Sequence, residues 1–367
     1  MKNKINIVFT SIFILIIVLV PLTMAFTDDK EFSENENRYL SSKPKISISN
    51  ILTGKYFKDF EKYVDDQFVF RNKLYEIKTQ VQILAGNKDI NGVYLAEDNY
   101  LIEKKLENEI DKEKLQDNIN KLNEFIDRNK DKNIQMIIVP TASLILKEKL
   151  PQNASEYDQD EVLDIIKNNI KNVTFIDLRE QFLKHKDEYI YYKTDHHWTS
   201  LGSYYAYQEW CKYNNTNTDI IDYSRQTVTT DFKGSLYSKV LNKNAEEDKI
   251  ELFIPKEEID YEVSYNFNKI TNSSIYNLGK LKTKDKYQVF FGGNYPELKI
   301  KTKNKNGKNL LIIKDSYANS FIPFLINNYE NIYVVDMRYF KENLKEYMLE
   351  NGVNEVLILY NVTNFIE

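Results

Sequence analysis

Three histidines occur in 367 residues, and two of them are adjacent, in Thr194-Asp195-His196-His197-Trp198-Thr199. Read as extended chain, this stretch alternates its side chains, so Asp195 and His197 share one face and His196 takes the other. A carboxylate two residues from an imidazole can accept its Nδ1–H and fix the tautomer, which leaves Nε2 free as a general base. The run Leu310-Leu311-Ile312-Ile313-Lys314-Asp315-Ser316-Tyr317-Ala318-Asn319 offers that base a nucleophile. An apolar strand that turns directly into a helix presents Ser316 Oγ at the strand end, with its own N–H at the helix N-terminus, ready to donate to an oxyanion. A serine hydroxyl is a weak nucleophile near neutrality and needs a base beside it. Asp195, His197 and Ser316 are thus the candidate orienter, base and nucleophile. Ordinary alternatives exist for each. Asp315 or Ser316 can simply cap the helix, and two histidines beside an aspartate can be structural or hold a metal. His185, next to Asp187 and Glu188, reads as a helix end.

These residues need a scaffold. Residues 134–139 form a continuous apolar strand ended by Pro140. A helix over 159–169, a strand over 173–176 and a helix over 201–213 follow. The pattern resumes with a strand over 310–313, a helix over 317–327, a strand over 332–335, a helix over 340–350 and a strand over 356–359. Continuous apolar strands alternating with helices predict a mostly parallel sheet covered on both faces, whose ligands bind beyond the carboxyl ends of the strands. Both chemical segments fall where that rule looks first. Between about 214 and 305 the alternation lapses into a Tyr- and Lys-rich stretch with strand-like pieces over 287–291 and 298–300, read as an insertion on one core domain. Ahead of the sheet, apolar spacing predicts a helix, a turn and a helix over 56–83, then a hairpin of residues 92–95 and 100–102, then a helix over 112–128.

Composition sets further limits. Hydrophobic residues make up 42% and charged residues 29%, a globular balance. The net charge is −5, with 50 Lys+Arg against 55 Asp+Glu, and no basic segment stands out that would track a phosphate backbone, so nucleic acid is not the expected partner. Cys211 is the single cysteine, which excludes an intramolecular disulfide and a cysteine-clustered zinc site. Lys2 and Lys4 precede an almost unbroken apolar run from residue 5 to residue 26. The run is long enough to cross a hydrocarbon core of about 30 Å, and the lysines before it place the remainder outside the cytoplasm; a cleaved signal peptide is the alternative. The expected organisation is a membrane anchor or signal over 1–26, a membrane-proximal helical arm and hairpin over 27–110, and an α/β domain over 111–367.

The hexapeptide at 194–199 resembles the signature of the DHHW family of bacterial exported proteins. That family is similar to the AlgX/AlgJ-type alginate O-acetyltransferases, whose domain is SGNH-hydrolase-like. Glu36-Asn37-Arg38 with Leu40 and Ser41, and Phe60-Glu61-Lys62-Tyr63-Val64-Asp65-Asp66 followed by Phe70-Arg71, resemble the membrane-proximal part of the superfamily, and Val139-Pro140 resembles its early strand end. Asp315-Ser316 matches the nucleophile block in part, with Lys314 standing where glycine is usual. The resemblance implies a three-layer α/β/α domain in which Asp195 orients, His197 acts as base and Ser316 as nucleophile. It further implies O-acetyl transfer to hydroxyls of an exported polysaccharide, needing no cofactor and no metal. An exported enzyme has no cytoplasmic acetyl-CoA at hand, so a multi-span membrane partner that hands acetyl groups outward is implied as well. Asn361, just past the last strand, stands where the SGNH pattern has its asparagine. Together with Arg338, just past strand 332–335, it is a candidate oxyanion or substrate contact; a turn residue and a salt-bridge partner are the plainer roles. Gly234-Ser235 and Gly292-Gly293-Asn294 are lesser candidates, equally readable as turns. Two other functions stay open: a metal-dependent hydrolase built on Asp195, His196 and His197, and a non-catalytic scaffold or polysaccharide-binding component of an exopolysaccharide assembly.

Overall fold

The computed structural model describes residues 2–216, 222–257 and 260–367. The chain divides into two compact units, Met1–Asn87 with Ser238–Asn244, and Lys88–Tyr237 with Ala245–Glu367.

The first unit opens with α1 (Lys2–Ala25), apolar around its whole circumference. Its Lys4–Ala25 segment is, among the described residues, the one helix long and apolar enough to cross a membrane. After a short helix at Ile48–Leu52 come α2 (Lys55–Gln67) and α3 (Arg71–Leu84), the predicted helix-turn-helix. Four charged residues of the two motifs at 36–41 and 60–71 bind one another. Arg38 donates to both carboxylate oxygens of Asp66, at 3.1 and 2.5 Å, the Ser41 N–H adds a third bond at 2.8 Å, and Arg71 pairs with Glu36. The Arg38 guanidinium holds the Asp66 carboxyl well below the usual range, against the opposing effect of burial. Thr79 of α3 donates to the Val240 carbonyl at 2.6 Å, which ties the segment at 238–244 to this unit.

The second unit begins before residue 110. The predicted hairpin belongs here because Tyr94, Tyr100 and Ile102 are buried in the same apolar cluster as the sheet strands, and it carries a third strand at Asp89–Ile90. After α4 (Lys112–Arg128) come β1 (Asn133–Val139), α5 (Gln159–Asn169), β2 (Thr174–Ile176) and α6 (Ser200–Tyr213). Beyond them lie β3 (Tyr261–Tyr265), β4 (Ile270–Asn272), β5 (Glu297–Thr302), β6 (Asn309–Lys314), α7 (Ala318–Leu325), β7 (Asn331–Val335), α8 (Leu344–Glu350), β8 (Glu355–Asn361) and α9 (Val362–Ile366). The sheet order is β4-β3-β5-β7-β6-β8-β1-β2. From β7 to β2 the strands are parallel, as the pattern of apolar runs requires. The stretch at 214–305 contributes the other three, which extend the sheet antiparallel from β7, and also a separate ribbon of Tyr223–Phe232 with Asp248–Pro255.

Two expectations shift locally. Residues 287–291 are not a strand, since Lys286–Val289 is a 3₁₀ turn in which Asp285 accepts from Gln288 through both backbone and side chain. The helix expected over 340–350 begins only at Leu344, where the Asn343 carboxamide oxygen caps the N–H groups of Lys345 and Glu346.

Strand residues alternate between two cores. Ile137, Val139, Leu310, Ile312 and Leu359 face one layer, with Trp198, Tyr207 and Phe321, while Ile138, Leu311, Ile313 and Ile358 face the other, with Ile119 and Ile166. The result is helix layers on both sides of a mostly parallel sheet. Full burial of each such side chain stabilises by about 1.5–3 kcal/mol. This rigid middle layer sets where the loops at its carboxyl edge stand.

Candidate active site

The histidine segment is a bent loop, not extended chain. An antiparallel bridge between Tyr191 and Trp198 closes it, and α6 starts directly after it, with Thr199 Oγ accepting from the Gly202 N–H. Asp248, at the start of a ribbon strand, pins the loop: it accepts the N–H groups of Lys193 and Thr194, both at 2.7 Å, and the hydroxyls of Thr194 and Tyr189. Because the loop bends, alternation fails. His196 does not point away from His197; their ring centroids are 3.9 Å apart, and His196 Nδ1 lies 2.6 Å from Ser235 Oγ.

Asp195 Oδ1 lies 2.5 Å from His197 Nδ1 and also accepts the His197 N–H at 3.0 Å, while Oδ2 accepts the Ser235 N–H at 2.8 Å. An ionised carboxylate only accepts, so Nδ1 carries the ring proton. The unprotonated Nε2 then faces Ser316 Oγ at 2.8 Å. Burial works against the Asp195 charge, yet the two imidazoles, the His197 hydrogen bond and the Ser235 N–H outweigh it and leave the carboxyl well below the usual range. Burial, with the neighbouring His196, pushes His197 down to about 4 despite Asp195. His197 is therefore neutral at physiological pH and able to accept a proton. Gly234 is required by space: a Cβ there would stand 2.3 Å from the Asp195 Cβ.

The serine stands on regular structure. One residue past β6, the Asp315 carboxylate accepts the Tyr317 N–H at 2.8 Å through Oδ1, and the Asn361 N–H and Asn364 side-chain amide, each at 2.7 Å, through Oδ2. Ser316 follows, partly exposed, and among the described residues nothing accepts its N–H. Trp198 brackets the two segments, since its indole N–H reaches the Tyr317 carbonyl at 3.0 Å and Ser320 Oγ at 2.9 Å.

Tyr287 is a site residue that sequence reasoning passed over. Its ring stacks on His197 at 3.9 Å and 10°, and its hydroxyl donates to the Ser316 carbonyl at 3.1 Å. His196 is equally close, and two rings at that separation cannot share a face, so the His197 imidazole is sandwiched. An aromatic residue at 287 looked like core; only its distant contacts distinguish it. Asp248 likewise carried no local signal, whereas Gly234-Ser235 stood out as a glycine turn.

Asn361 and Arg338 each have a structural partner, and Asn361 also lines a small cavity with Asp195, His196 and Tyr317. The Asn361 amide donates to the Val139 carbonyl at 3.2 Å and its oxygen accepts the Thr363 N–H at 3.0 Å as the cap of α9. Arg338 is clamped on buried Asp336 at 2.8 and 2.6 Å. Asn294, at the end of the Gly292-Gly293-Asn294 turn, takes a bond at 3.3 Å from buried Lys314, whose main acceptor is Asn319 Oδ1 at 2.6 Å; burial pushes the Lys314 amine down to about 8. Ligand atoms of Asp195, His196 and His197 lie within 4.8 Å of one another. A metal there would have to displace existing contacts, because both His197 nitrogens and His196 Nδ1 already have partners.

The sequence model of the DHHW protein family matches residues 77–335, some two thirds of the chain. The chain belongs to the DHHW family. Its name-giving tetrapeptide is Asp195-His196-His197-Trp198, and the geometry gives each residue a different contact: Asp195 to His197, His197 to Ser316, His196 to Ser235, and Trp198 to the serine turn. A solved DHHW family protein from Eubacterium siraeum is 27% identical, with a TM-score of 0.64 over 76% of this chain and 93% of its own. Bacillus cereus PatB1 has the same fold, at 23% identity and a TM-score of 0.63, covering 76% of this chain and 97% of its own, and has also been solved with a sulfonyl adduct. The O-acetyltransferase domain of Pseudomonas putida AlgJ aligns at 14% identity and a TM-score of 0.49 over 75% of this chain and 92% of its own. No curated protein matches this DHHW chain by sequence.

Proposed function

We propose that this DHHW protein is an extracytoplasmic serine O-acyltransferase that moves acetyl groups onto hydroxyls of an exported polysaccharide. The observation that carries the reading is the continuous line Asp195–His197–Ser316, at 2.5 and 2.8 Å. In this mechanism His197 Nε2 takes the Ser316 proton as Oγ attacks the acetyl ester of the donor. The Ser316 N–H stabilises the tetrahedral oxyanion. Collapse expels the donor alcohol, which takes the proton back from His197, and leaves acetyl-Ser316. A sugar hydroxyl then gives its proton to the same Nε2 and attacks the acyl carbonyl, and Ser316 leaves with that proton. Asp195 holds the imidazole in the tautomer both half-reactions need. Asn361, whose amide keeps a second N–H beyond its bond to Val139, and Arg338, whose guanidinium keeps donors beyond those on Asp336, would contribute to oxyanion or substrate binding. Helix α1 would hold the enzyme at the membrane, where a multi-span partner supplies acetyl groups.

The test is an acetyl ester turned over by the intact chain and by Ser316→Ala, each with and without EDTA. The variant is expected to lose about 10⁴-fold or more in kcat, and mass spectrometry should find acetyl on the peptide bearing Ser316. A sulfonyl fluoride should modify the same peptide, and only when His197 is intact. Undiminished turnover in Ser316→Ala would refute the serine mechanism, and loss of activity on chelation alone would favour a metal on Asp195, His196 and His197. Polysaccharide binding without turnover would leave the non-catalytic component.

A further inference from the structure

Within the first unit an apolar groove of about 580 Å³ runs between α1 and α2. Ile17, Val20 and Met24 line one wall, and Phe60, Tyr63 and Val64 the other, with Lys43 the one charged residue among the lining. Polar contacts just beyond the end of α1 hold the walls together. The Tyr63 hydroxyl donates to Asp29 at 2.8 Å, and the Gln67 carboxamide exchanges hydrogen bonds with the backbone of Lys30, at 2.9 Å each way.

Depth follows from helix geometry. At 1.5 Å per residue, a 22-residue span is about 33 Å long, close to the hydrocarbon thickness of a bilayer. Ile17 lies eight residues before Ala25, about 12 Å inside the outer end, and Val20 about 8 Å inside. The groove shared by these residues and α2 therefore reaches into hydrocarbon. The outward side of α2 agrees: Phe57 and Phe60 are 63% and 38% exposed, whereas Lys58 and Lys62 project away from them around the helix.

Resting on the reading of α1 as a membrane anchor, we propose that α2 lies in the plane of the outer leaflet and that the α1–α2 groove is filled by lipid acyl chains. Its amphipathic pattern is that of a helix seated at a bilayer surface. The occupant is lipid, because one wall of the groove is the spanning helix itself. The polar ties to Asp29 and Lys30 would lie at headgroup level.

The experiment uses the full chain in vesicles of phosphatidylcholine and phosphatidylglycerol, with Phe57→Cys, Phe60→Cys or Lys62→Cys carrying an environment-sensitive fluorophore. Cys211, the native cysteine, is fully buried and should stay unlabelled. Flotation reports anchoring, and retained acetyl-ester turnover reports folding. Labels at 57 and 60 should shift to the blue and lose at least half their emission when the acyl chains are brominated, while the label at 62 should do neither. Vesicles that float with water-like emission at 57 and 60 would overturn the in-plane helix and leave the anchor standing. A blue shift unaffected by bromine would mean that protein, not lipid, covers the groove, and also overturns the proposal. Failure to float would overturn the anchor and the in-plane helix together.

Discussion

Ser316 and His197 meet at 2.8 Å, but they are held by different kinds of structure. Ser316 stands two residues past β6, a strand with parallel partners on both sides, and its turn is capped from β8 and α9 through Asp315. His197 stands in a loop closed by a single bridge, and its supports come from the stretch between the two segments: Ser235, Asp248 and Tyr287. One half of the site is thus part of the core. The other half is buried as well, with Tyr191 and Trp198 in the same apolar cluster, but it is clipped on by side chains from a distant stretch, so its geometry is the easier to disturb.

Gly234→Ala should give the largest effect. The added methyl must displace Asp195, and a shift of about 1 Å at the base is expected to lower kcat about 100-fold, together with an overpacking cost of about 1–3 kcal/mol in unfolding free energy. An unchanged kcat in acetyl-ester kinetics, with only the stability loss seen by denaturant titration, would break the distinction. Asp315→Ala should do the reverse, because it leaves the buried N–H groups of Tyr317 and Asn361 without acceptors, at about 1–3 kcal/mol each; chemical unfolding should detect it before any assay does.

The pH dependence follows from His197. Its pKa in the folded chain, about 4, lies below its ordinary value of 6.5, so on acidification the unfolded chain takes up a proton first. The stability this group contributes is complete above 6.5 and is lost as pH falls through about 4. Turnover should stay flat down to that point and then fall, and His197→Asn should show a shallower loss of stability over the same window. A profile of kcat/KM that breaks near 6.5 would mean the imidazole is far better solvated than its surroundings suggest. Smallest is Tyr287→Phe, which keeps the ring on His197 and removes one hydrogen bond to the Ser316 carbonyl. A net bond of about 0.5–1.5 kcal/mol corresponds to a fall of about 2- to 10-fold in kcat.

The same division decided what the sequence disclosed. The parallel strands and Ser316 were legible because period and burial are local signals, so an apolar run such as 310–313 announces itself. Asp195 and His197 were legible as a pair because the i, i+2 contact is short-range. The position of His196 was not, since alternation holds only for extended chain and Asp248 bends this loop from 54 residues away. Tyr287 was hidden for a similar reason, its meaning lying in a ring stacked on a distant imidazole. The support of Asn361 was equally remote, a carbonyl on β1, whereas Arg338 turns back to Asp336, two residues away, whose burial no local pattern announced.

A consequence for the order of events lies in the sequence offset of 119 between His197 and Ser316. The intervening chain includes β3, β4 and β5, antiparallel strands that can dock only when β7, which follows the serine, is in place. Contacts this distant in sequence form late, because the closure entropy of the loop must be met before they contribute. A chain emerging from the ribosome therefore carries a histidine without its serine, and later a serine without its sheet. Under the proposed serine mechanism, chemical competence arrives with the last strands, and a partly folded chain would have no activity toward esters.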